Sequence, residues 1–358
     1  MDNFFYPARF GYACKWMDPT PTGNKKEDSD RVARMNLKGT TKKYVQSLDS
    51  HRKQFDKISG IVLHNIQALR NQIDWLSEQP IHMRMLRIGS DMLPFYTLDE
   101  LNWFYSDYDL MDQVERGLRS AGEKARRTGV RLSMHPGQFC ILNSANPDVV
   151  ERSIEEFEYH CDIMRWMGFT GWHPYGMEIN VHGGSGREGL EPLKNTITKR
   201  LSQDARDWLT IENCEYSFGV KDLAKISDIC ALVLDVHHHF IHSQGKYIQP
   251  NSPEVQPFIE SWRGVVPELH YSISPEEFFE DSEYDALPDY KILTESGIGR
   301  QKLRQHSNMS WNSATNDWVL GFSNDFDIMV EAKNKNLASQ QLFDFARFNR
   351  KQLFRTHR

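Results

Sequence analysis

The chain has 358 residues, 39% of them hydrophobic and 26% charged, an ordinary composition for a globular protein of one large or two smaller domains. The formal net charge of −6 does not predict a broadly nucleic-acid-binding surface. The sequence contains no run of 18 apolar residues, so no membrane span is expected, and the first residues include no apolar core of the length of a signal peptide. Five widely spaced cysteines without a CxxC pair fit reduced thiols better than a disulfide framework. They favour an intracellular protein, in the cytoplasm or nucleoid of a prokaryote or the nucleus of a eukaryote.

Eight short, β-prone apolar stretches recur along the chain with amphipathic segments between them. The eight stretches are residues 9–16, 84–91, 130–137, 176–184, 208–215, 230–239, 266–274 and 326–333. Their nearly continuous apolar cores are typical of parallel strands that are buried on both faces. Residues 109–129, with Gly129 as a stop, and residues 146–168, with Asn146 as a cap, are predicted helices. Eightfold alternation of strand and helix predicts an α/β fold, the (β/α)8 TIM barrel.

The domain organisation follows from this pattern. We expect one TIM-barrel domain over residues 1–358, acting as a monomer. Residues 275–305 are too many for a plain loop, so this stretch is predicted to be an insertion that adds a helix or a lid. A C-terminal helix is predicted at about residues 336–354.

Histidines and carboxylates stand at the predicted strand ends. They are His135, His182, Glu212, Asp235, His238, Glu268, His270 and Glu331, and His306 follows the stretch 275–305. Because the loops at the C-terminal ends of barrel strands build the active site, these side chains are expected to converge at one mouth. One histidine at a strand end is usually a core or surface residue, but six strands ending in this way indicate a shared site. Clustered carboxylates would repel one another unless cations lay among them.

The types of these side chains indicate the chemistry. Imidazole and carboxylate ligands without cysteine favour Mn²⁺, Zn²⁺ or Fe²⁺ over a structural thiolate zinc site. Nine candidate ligands exceed the needs of one ion, so two or three ions are expected. Sites with several metal ions activate water and stabilise both the attacking and the leaving oxygen of a phosphate ester. The residues therefore predict a phosphodiester hydrolase, with a single-metal sugar isomerase on the same barrel as the alternative.

A series of short motifs spans most of the chain. They are "GYACKW" (11–16), "RIGSDMLPF" (87–95), "LSMHPGQF" (132–139), "PDVVERS" (147–153), "NVHGG" (180–184), "IENCE" (211–215), "LDVHHH" (234–239), "ELH" (268–270) and "VEAKNK" (330–335). With these motifs the chain resembles the ultraviolet damage endonucleases, relatives of endonuclease IV. The resemblance implies a DNA repair enzyme that nicks double-stranded DNA immediately 5′ to cyclobutane pyrimidine dimers and 6-4 photoproducts, leaving 3′-hydroxyl and 5′-phosphate ends. It also implies Mn²⁺ as the metal, with Zn²⁺ or Mg²⁺ as alternatives.

The resemblance implies roles for individual residues of the site. The implied metal ligands are His135, His182, Glu212, Asp235, His238, His270, His306 and Glu331. The family's Asp-x-x-His spacing selects His238 from three consecutive histidines. Glu212 and Glu331 are expected to bridge metals and, with Glu268, to be catalytic. Several family members have a carboxylated lysine at the position of Glu268, where a glutamate supplies the carboxylate directly.

The stretch after His135 is predicted to contact the lesion. The turn at residues 136–137 should project Gln138 and Phe139 past the metal ligands. By resemblance, these two residues and Tyr12 would fill the space left by two flipped-out nucleotides.

Two basic residues near the predicted site, and three alternative functions, also follow from the sequence. Arg87 and Lys333 are candidates for phosphate contacts, although either could instead pair with a carboxylate of the metal site. The alternatives to a lesion endonuclease are an abasic-site endonuclease of the endonuclease IV type, a sugar isomerase or epimerase, and a catalytically silent lesion-binding protein.

Overall fold

The computed structural model describes residues 6–279, 284–349 and 354–355. In these ranges the strands β1 to β10 are Tyr6–Pro7, Phe10–Ala13, Met85–Ile88, Arg131–Met134, Glu178–His182, Leu209–Glu212, Ala231–Asp235, Glu268–Tyr271, Asp327–Val330 and Phe354–Arg355. Strands β2 to β9 pair in parallel, in chain order, around a closed barrel. The predicted (β/α)8 barrel is therefore confirmed, and each of its strands lies within one of the eight predicted stretches.

Helices surround the barrel and connect its strands. Helices α1 to α14 are Lys25–Met35, Lys42–Gln46, His51–Glu78, Tyr108–Thr128, Pro147–Trp166, Leu190–Arg200, Gln203–Trp208, Val220–Leu223, Val236–His242, Gln256–Glu260, Tyr290–Glu295, Arg300–Leu303, Ser313–Leu320 and Lys335–Phe348. Helix α4 ends at Gly129, whose φ of 69° is the left-handed conformation expected of a helix stop. Helix α5 begins after Asn146, whose side chain accepts a hydrogen bond from the amide of Asp148. None of the helices in the described ranges is long and apolar enough to cross a membrane.

Two segments were predicted in addition to the barrel strands and helices: residues 275–305 and a C-terminal helix. Residues 275–305 lie between β8 and α13 and contain α11 and α12, while residues 280–283 lie outside the described residues. The helix predicted at about residues 336–354 is shorter, since α14 ends at Phe348. Residues 350–353 lie outside the described residues, and Phe354–Arg355 forms β10, which pairs with β1 in an antiparallel two-stranded sheet. The predicted helix therefore ended too late, at a residue that belongs to β10.

The barrel interior is polar along several strands. Arg131 of β4 donates a hydrogen bond to Asp327 of β9 at 2.9 Å, and its Nε lies 3.7 Å from Glu268 of β8. Because β4 and β8 are not neighbours in the sheet, Arg131 and Glu268 must meet across the interior. All three side chains are buried. The floor of the barrel therefore holds a compensated set of charges where many TIM barrels have branched apolar side chains.

His173, in the connection before β5, is buried against apolar rings. Its ring centroid lies 4.7 Å from that of Trp262, and its Nδ1 lies 3.0 Å from the carbonyl oxygen of Met177. Burial lowers the pKa of His173 to about 3. The unfolded chain, with a histidine pKa of about 6.5, takes up a proton as the pH falls, while the folded protein does not. His173 therefore favours unfolding increasingly as the pH falls from about 6.5 toward about 3.

We expect His173→Asn to change how stability depends on pH. Asparagine tolerates the positive φ of 34° at this position. The variant should be less stable than wild type at pH 7.5, because ring packing is lost, but this deficit should shrink by about 3 kcal/mol at pH 4.5. Chemical denaturation at both pH values measures the difference. The exposed His51, replaced by asparagine, is the control. Parallel pH profiles for wild type and His173→Asn would contradict the prediction.

Candidate metal centre

The barrel brings the eight predicted ligands to one mouth, at the carboxyl ends of its strands. Their positions are His135 after β4, His182 in β5, Glu212 in β6, Asp235 in β7, His238 in α9, His270 in β8, His306 after α12 and Glu331 after β9. The mouth forms a cavity of about 680 Å³, which six of these side chains line together with residues of the surrounding loops, whereas Asp235 and His270 are buried next to it. Convergence from separate strands is what the strand-end pattern predicted.

Glu212 lies at the centre of the group and is only 1% exposed. Its Oε1 lies 2.9 Å from Nδ1 of His238. Its Oε2 lies 3.2 Å from Nδ1 of His270 and 3.6 Å from Nε2 of His135. Burial alone would raise the pKa of Glu212, but the imidazoles of His270 and His182 outweigh burial and hold the pKa well below its ordinary value. Glu212 is therefore an ionised carboxylate with both oxygens directed at imidazoles.

Glu331 occupies the other side of the mouth. Its Oε1 lies 3.5 Å from Nδ1 of His270, and its Oε2 lies 4.0 Å from Nδ1 of His306. Arg87 donates a hydrogen bond to Oε1 of Glu331. Burial would raise the pKa of Glu331, but the Arg87 guanidinium and the His270 imidazole lower it below its ordinary value. Of the two roles predicted for Arg87, the structure shows the pairing with a carboxylate of the site.

The donor atoms fit divalent cations. Three groups of side chains offer nitrogen and oxygen atoms within 4.8 Å of one another: His135, His182 and Glu212; Glu212, Asp235 and His238; Asp235, His270 and Glu331. Within the described ranges, the buried Nδ1 of His182 and both ring nitrogens of His270 have no hydrogen-bond partner. Nδ1 of His135 lies 2.7 Å from the carbonyl oxygen of Pro136, which leaves Nε2 to face Glu212. A backbone carbonyl behind the imidazole is common among metal-binding histidines.

The sequence analysis expected Glu268 at the carboxyl end of its strand, but the structure places it elsewhere. It is the first residue of β8, two positions before His270, and is fully buried. Its Oε1 lies 3.4 Å from Nε2 of His270, whereas Nδ1 of His270 faces Glu212 and Glu331. Glu268 therefore contacts the edge of the imidazole that faces away from the mouth. A deeper group of possible donors consists of Glu178, Glu268 and His270.

The structure separates the three residues predicted to probe DNA. Phe139 is 80% exposed and Gln138 is also exposed, immediately after the turn at the rim. Tyr12 is fully buried, its hydroxyl donates to Oε1 of Gln72 at 3.0 Å, and its ring packs against Trp75 of α3. Because side chains alternate along a strand, Tyr12 lies on the face of β2 that packs against helices. The prediction that Tyr12 contacts the lesion is wrong for this structure.

Sequence analysis missed two charged residues close to the site. Glu215 is 3% exposed, and its Oε2 lies 3.6 Å from Nε2 of His238. Its place three residues after Glu212 in "IENCE" was an available signal. Lys335 is half-buried with a φ of 50°, and burial lowers its pKa below the ordinary value. Lys333, which was predicted instead, is exposed.

Fold and site together define a TIM-barrel protein with a candidate metal centre at the carboxyl ends of its strands. Residues 8–353 match the family model described as UV-endonuclease UvdE. The chain therefore belongs to this family, whose curated relatives are named endonucleases. Family membership favours an endonuclease over the sugar isomerase that the barrel alone left open.

Three similar proteins illustrate the extent of the match. A UV DNA damage endonuclease of Nostoc sp. is 24% identical over 231 residues, which are 63% of this chain and 69% of that protein. The UV-damage endonuclease of Schizosaccharomyces pombe is 25% identical over 302 residues, or 81% of this chain, but the match spans less than half, 45%, of the yeast protein. The solved structure described as "Crystal Structure of SacUVDE" superposes with a TM-score of 0.70 at 23% identity, covering 96% of this chain and 100% of that one. That likeness shows the shared fold.

We expect Mn²⁺ to stabilise the folded protein, because a cation among buried carboxylates binds the native state alone. A concentration of 100 times Kd should add about 2.7 kcal/mol to the free energy of unfolding. Glu212→Gln keeps the shape of the side chain but removes its charge, so it should lose most of this gain. Thermal melting of metal-stripped protein titrated with MnCl₂ measures the effect.

Two further variants sharpen the metal experiment. Glu151→Gln is the matched control, because the Glu151 side chain is 59% exposed. Glu268→Gln should lose less of the Mn²⁺ stabilisation than Glu212→Gln, since Glu268 contacts the far edge of His270. An equal loss would make Glu268 a direct ligand. Wild-type stabilisation of Glu212→Gln would rule out the candidate centre.

Proposed function

We propose that the protein is a metal-dependent DNA repair endonuclease. It nicks the phosphodiester bond immediately 5′ to cyclobutane pyrimidine dimers and 6-4 photoproducts and leaves 3′-hydroxyl and 5′-phosphate ends. The observation that carries the proposal is the convergence of eight imidazole and carboxylate side chains at a mouth that Gln138 lines, with the exposed Phe139 next in the chain. Membership of the UV-endonuclease family supports the choice of substrate.

The eight side chains would hold two or three divalent ions, with Mn²⁺ as the expected metal. The set is His135, His182, Glu212, Asp235, His238, His270, His306 and Glu331. Bound ions would supply Lewis acidity and activated water for phosphodiester hydrolysis. Glu212 and Glu331 are suited to bridging, because the two oxygens of each carboxylate face different histidines.

Buried partners behind the ligands hold them in place. The carbonyl oxygen of Pro136 accepts from Nδ1 of His135, and the carbonyl oxygen of Glu331 accepts from Nδ1 of His306. Each contact fixes the ring and leaves Nε2 available. We propose the same function for Glu268, which faces Nε2 of His270 and leaves Nδ1 directed at the mouth. Glu268 is thus a positioning residue in this proposal. Its carboxylate stands where the resemblance implies a carboxylated lysine in several family members.

Gln138 and Phe139 would read the distortion of the duplex. Unstacking nucleotides costs a few kcal/mol, and the cost falls for damaged bases. An aromatic side chain with 80% exposure can enter the opened stack, while burial of Tyr12 leaves it no part in this step. The exposed Lys333 is suited to a phosphate contact. The partner is therefore double-stranded DNA that carries ultraviolet lesions, engaged by a monomer.

The proposal is tested with a duplex that carries one thymine dimer, incubated with protein and Mn²⁺. Wild type should nick the strand 5′ to the dimer. Glu331→Gln should lower the nicking rate by at least about 100-fold, since even residues behind metal ligands are worth 10–100-fold, while DNA binding is retained. Asp112→Asn, on the surface of α4, is the control.

Different outcomes of this assay identify the alternatives. A wild-type protein that cuts an abasic duplex but not the dimer would be an endonuclease IV-type enzyme. One that binds the dimer without cutting either duplex in the presence of Mn²⁺ would be a silent lesion-binding protein. Full activity of Glu331→Gln would contradict the assigned centre.

We expect Phe139→Ala to reduce the preference for damaged over undamaged duplex by about tenfold, because an aromatic ring stacked on a base is worth about 1–3 kcal/mol. Stabilisation by Mn²⁺ should be unchanged, since the exposed phenyl ring of Phe139 offers no donor atom to a metal ion. Competition binding with dimer-containing and intact duplexes measures the preference. Tyr108→Ala is the matched control, because Tyr108 is an 81% exposed aromatic residue on α4. Unchanged discrimination in Phe139→Ala would remove it from lesion recognition.

A further inference from the structure

Two arginines, one at the start of helix α12 and one directly after it, lie on an aromatic ring at the rim of the mouth. The guanidinium carbons of Arg300 and Arg304 lie 4.6 and 5.3 Å from the ring centroid of Tyr216. Tyr216 is 48% exposed, and the Arg304 side chain is 44% exposed. Tyr216 and Arg304 line the same cavity as His238, so this cationic cluster opens onto the candidate metal centre.

Glu215 holds both arginines in place. Its carbonyl oxygen accepts from Nη2 of Arg300, and its Oε1 lies 2.9 Å from Nε of Arg304. The other carboxylate oxygen lies 3.6 Å from Nε2 of His238. Arg304 is thus oriented through Nε, and its terminal nitrogens have no ion-pair or hydrogen-bond partner in the described part of the chain. Two guanidinium groups against one carboxylate leave an excess positive charge at the rim.

We infer that Arg300, Arg304 and Tyr216 bind the sugar–phosphate backbone of DNA next to the cleavage site, an inference that rests on the proposed function. A guanidinium group offers paired N–H donors that match two phosphate oxygens. An exposed aromatic ring adds a flat surface against sugar or base. Since the whole chain carries a net charge of −6, DNA must be attracted by local cationic clusters rather than by the overall charge.

The position of the cluster supports a backbone contact rather than lesion recognition. Gln138 and Arg304 both line the cavity, and the proposed ligand His182 lines it as well. A strand that reaches the centre with its lesion at Gln138 therefore has a neighbouring phosphate within reach of the arginines. Residues 300–304 would thereby extend the DNA-binding surface of the barrel.

The salt dependence of DNA binding tests this inference. Binding to undamaged duplex is measured by fluorescence anisotropy over a range of KCl concentrations, with the full chain. Arg304→Ala should reduce the slope of log K against log salt by about 0.9, the value for one lost phosphate contact, and the double variant Arg300→Ala/Arg304→Ala by about 1.8. Arg304→Lys keeps the charge and should keep the slope. Arg52→Ala, which removes an 83% exposed arginine on α3, is the control and should also keep it.

A purely structural task for the cluster gives a different result. If the arginines only fasten the segment 275–305 to Tyr216, Arg304→Ala lowers the melting temperature and leaves the salt slope at the wild-type value, and the inference is overturned. A slope for Arg304→Lys as low as that for Arg304→Ala overturns it too. Binding to undamaged duplex needs no cleavage. Absence of nicking by wild type therefore rejects the proposed function, whereas an unchanged slope rejects this inference alone.

Discussion

The contact of one buried carboxylate with several imidazoles organises the mouth of the barrel. Glu212 is 1% exposed, and a charge so far from water persists only beside positive or hydrogen-bonding partners. His135, His238 and His270 meet this demand from three different elements, and Asn180 adds a hydrogen bond at 2.5 Å. Satisfying Glu212 therefore fixes the relative positions of β4, β5, β8 and α9 at the site. Contacts between the chain's own side chains thus define the geometry of the mouth.

In the proposed function, two loops that reach this mouth share the binding of DNA. Phe139 follows the turn after β4 and contributes an exposed ring, while Arg304 comes from the segment after β8. Glu215 connects the second of these to the interior, because it contacts both Arg304 and His238. The proposed metal chemistry in the interior and the proposed backbone contacts at the rim would thus be neighbouring functions of one scaffold, since the loops of a TIM barrel build its site.

Strand-end position was enough to predict that these histidines and carboxylates converge, because residues that end parallel strands of a barrel must meet. The choice of His238 among three consecutive histidines, and of the eight proposed ligands, came from the family resemblance. Tyr12 was misplaced because β2 carries no ligand, so nothing in the sequence indicated which of its alternating faces points inward. Glu268 was expected at the mouth but lies deeper in the barrel, because it precedes His270 by two residues and two residues along a strand shift a side chain by about 6.6 Å. The contact of Arg304 with Glu215 joins the segment after β8 to the loop after β6. Local patterns carry no information on such a pairing.

The charged floor of the barrel has a consequence for how such a sequence can change. Arg131 contacts both Asp327 and Glu268, so its loss removes the guanidinium partner of Glu268 and one of the two arginines that contact Asp327. Breaking a buried ion pair by removing one partner costs about 3–5 kcal/mol. A typical domain has only about 5–15 kcal/mol of stability in total. Replacement of Arg131 alone would therefore remove a large fraction of that stability, so a homologous barrel that lacks this arginine is expected to differ at a carboxylate partner as well.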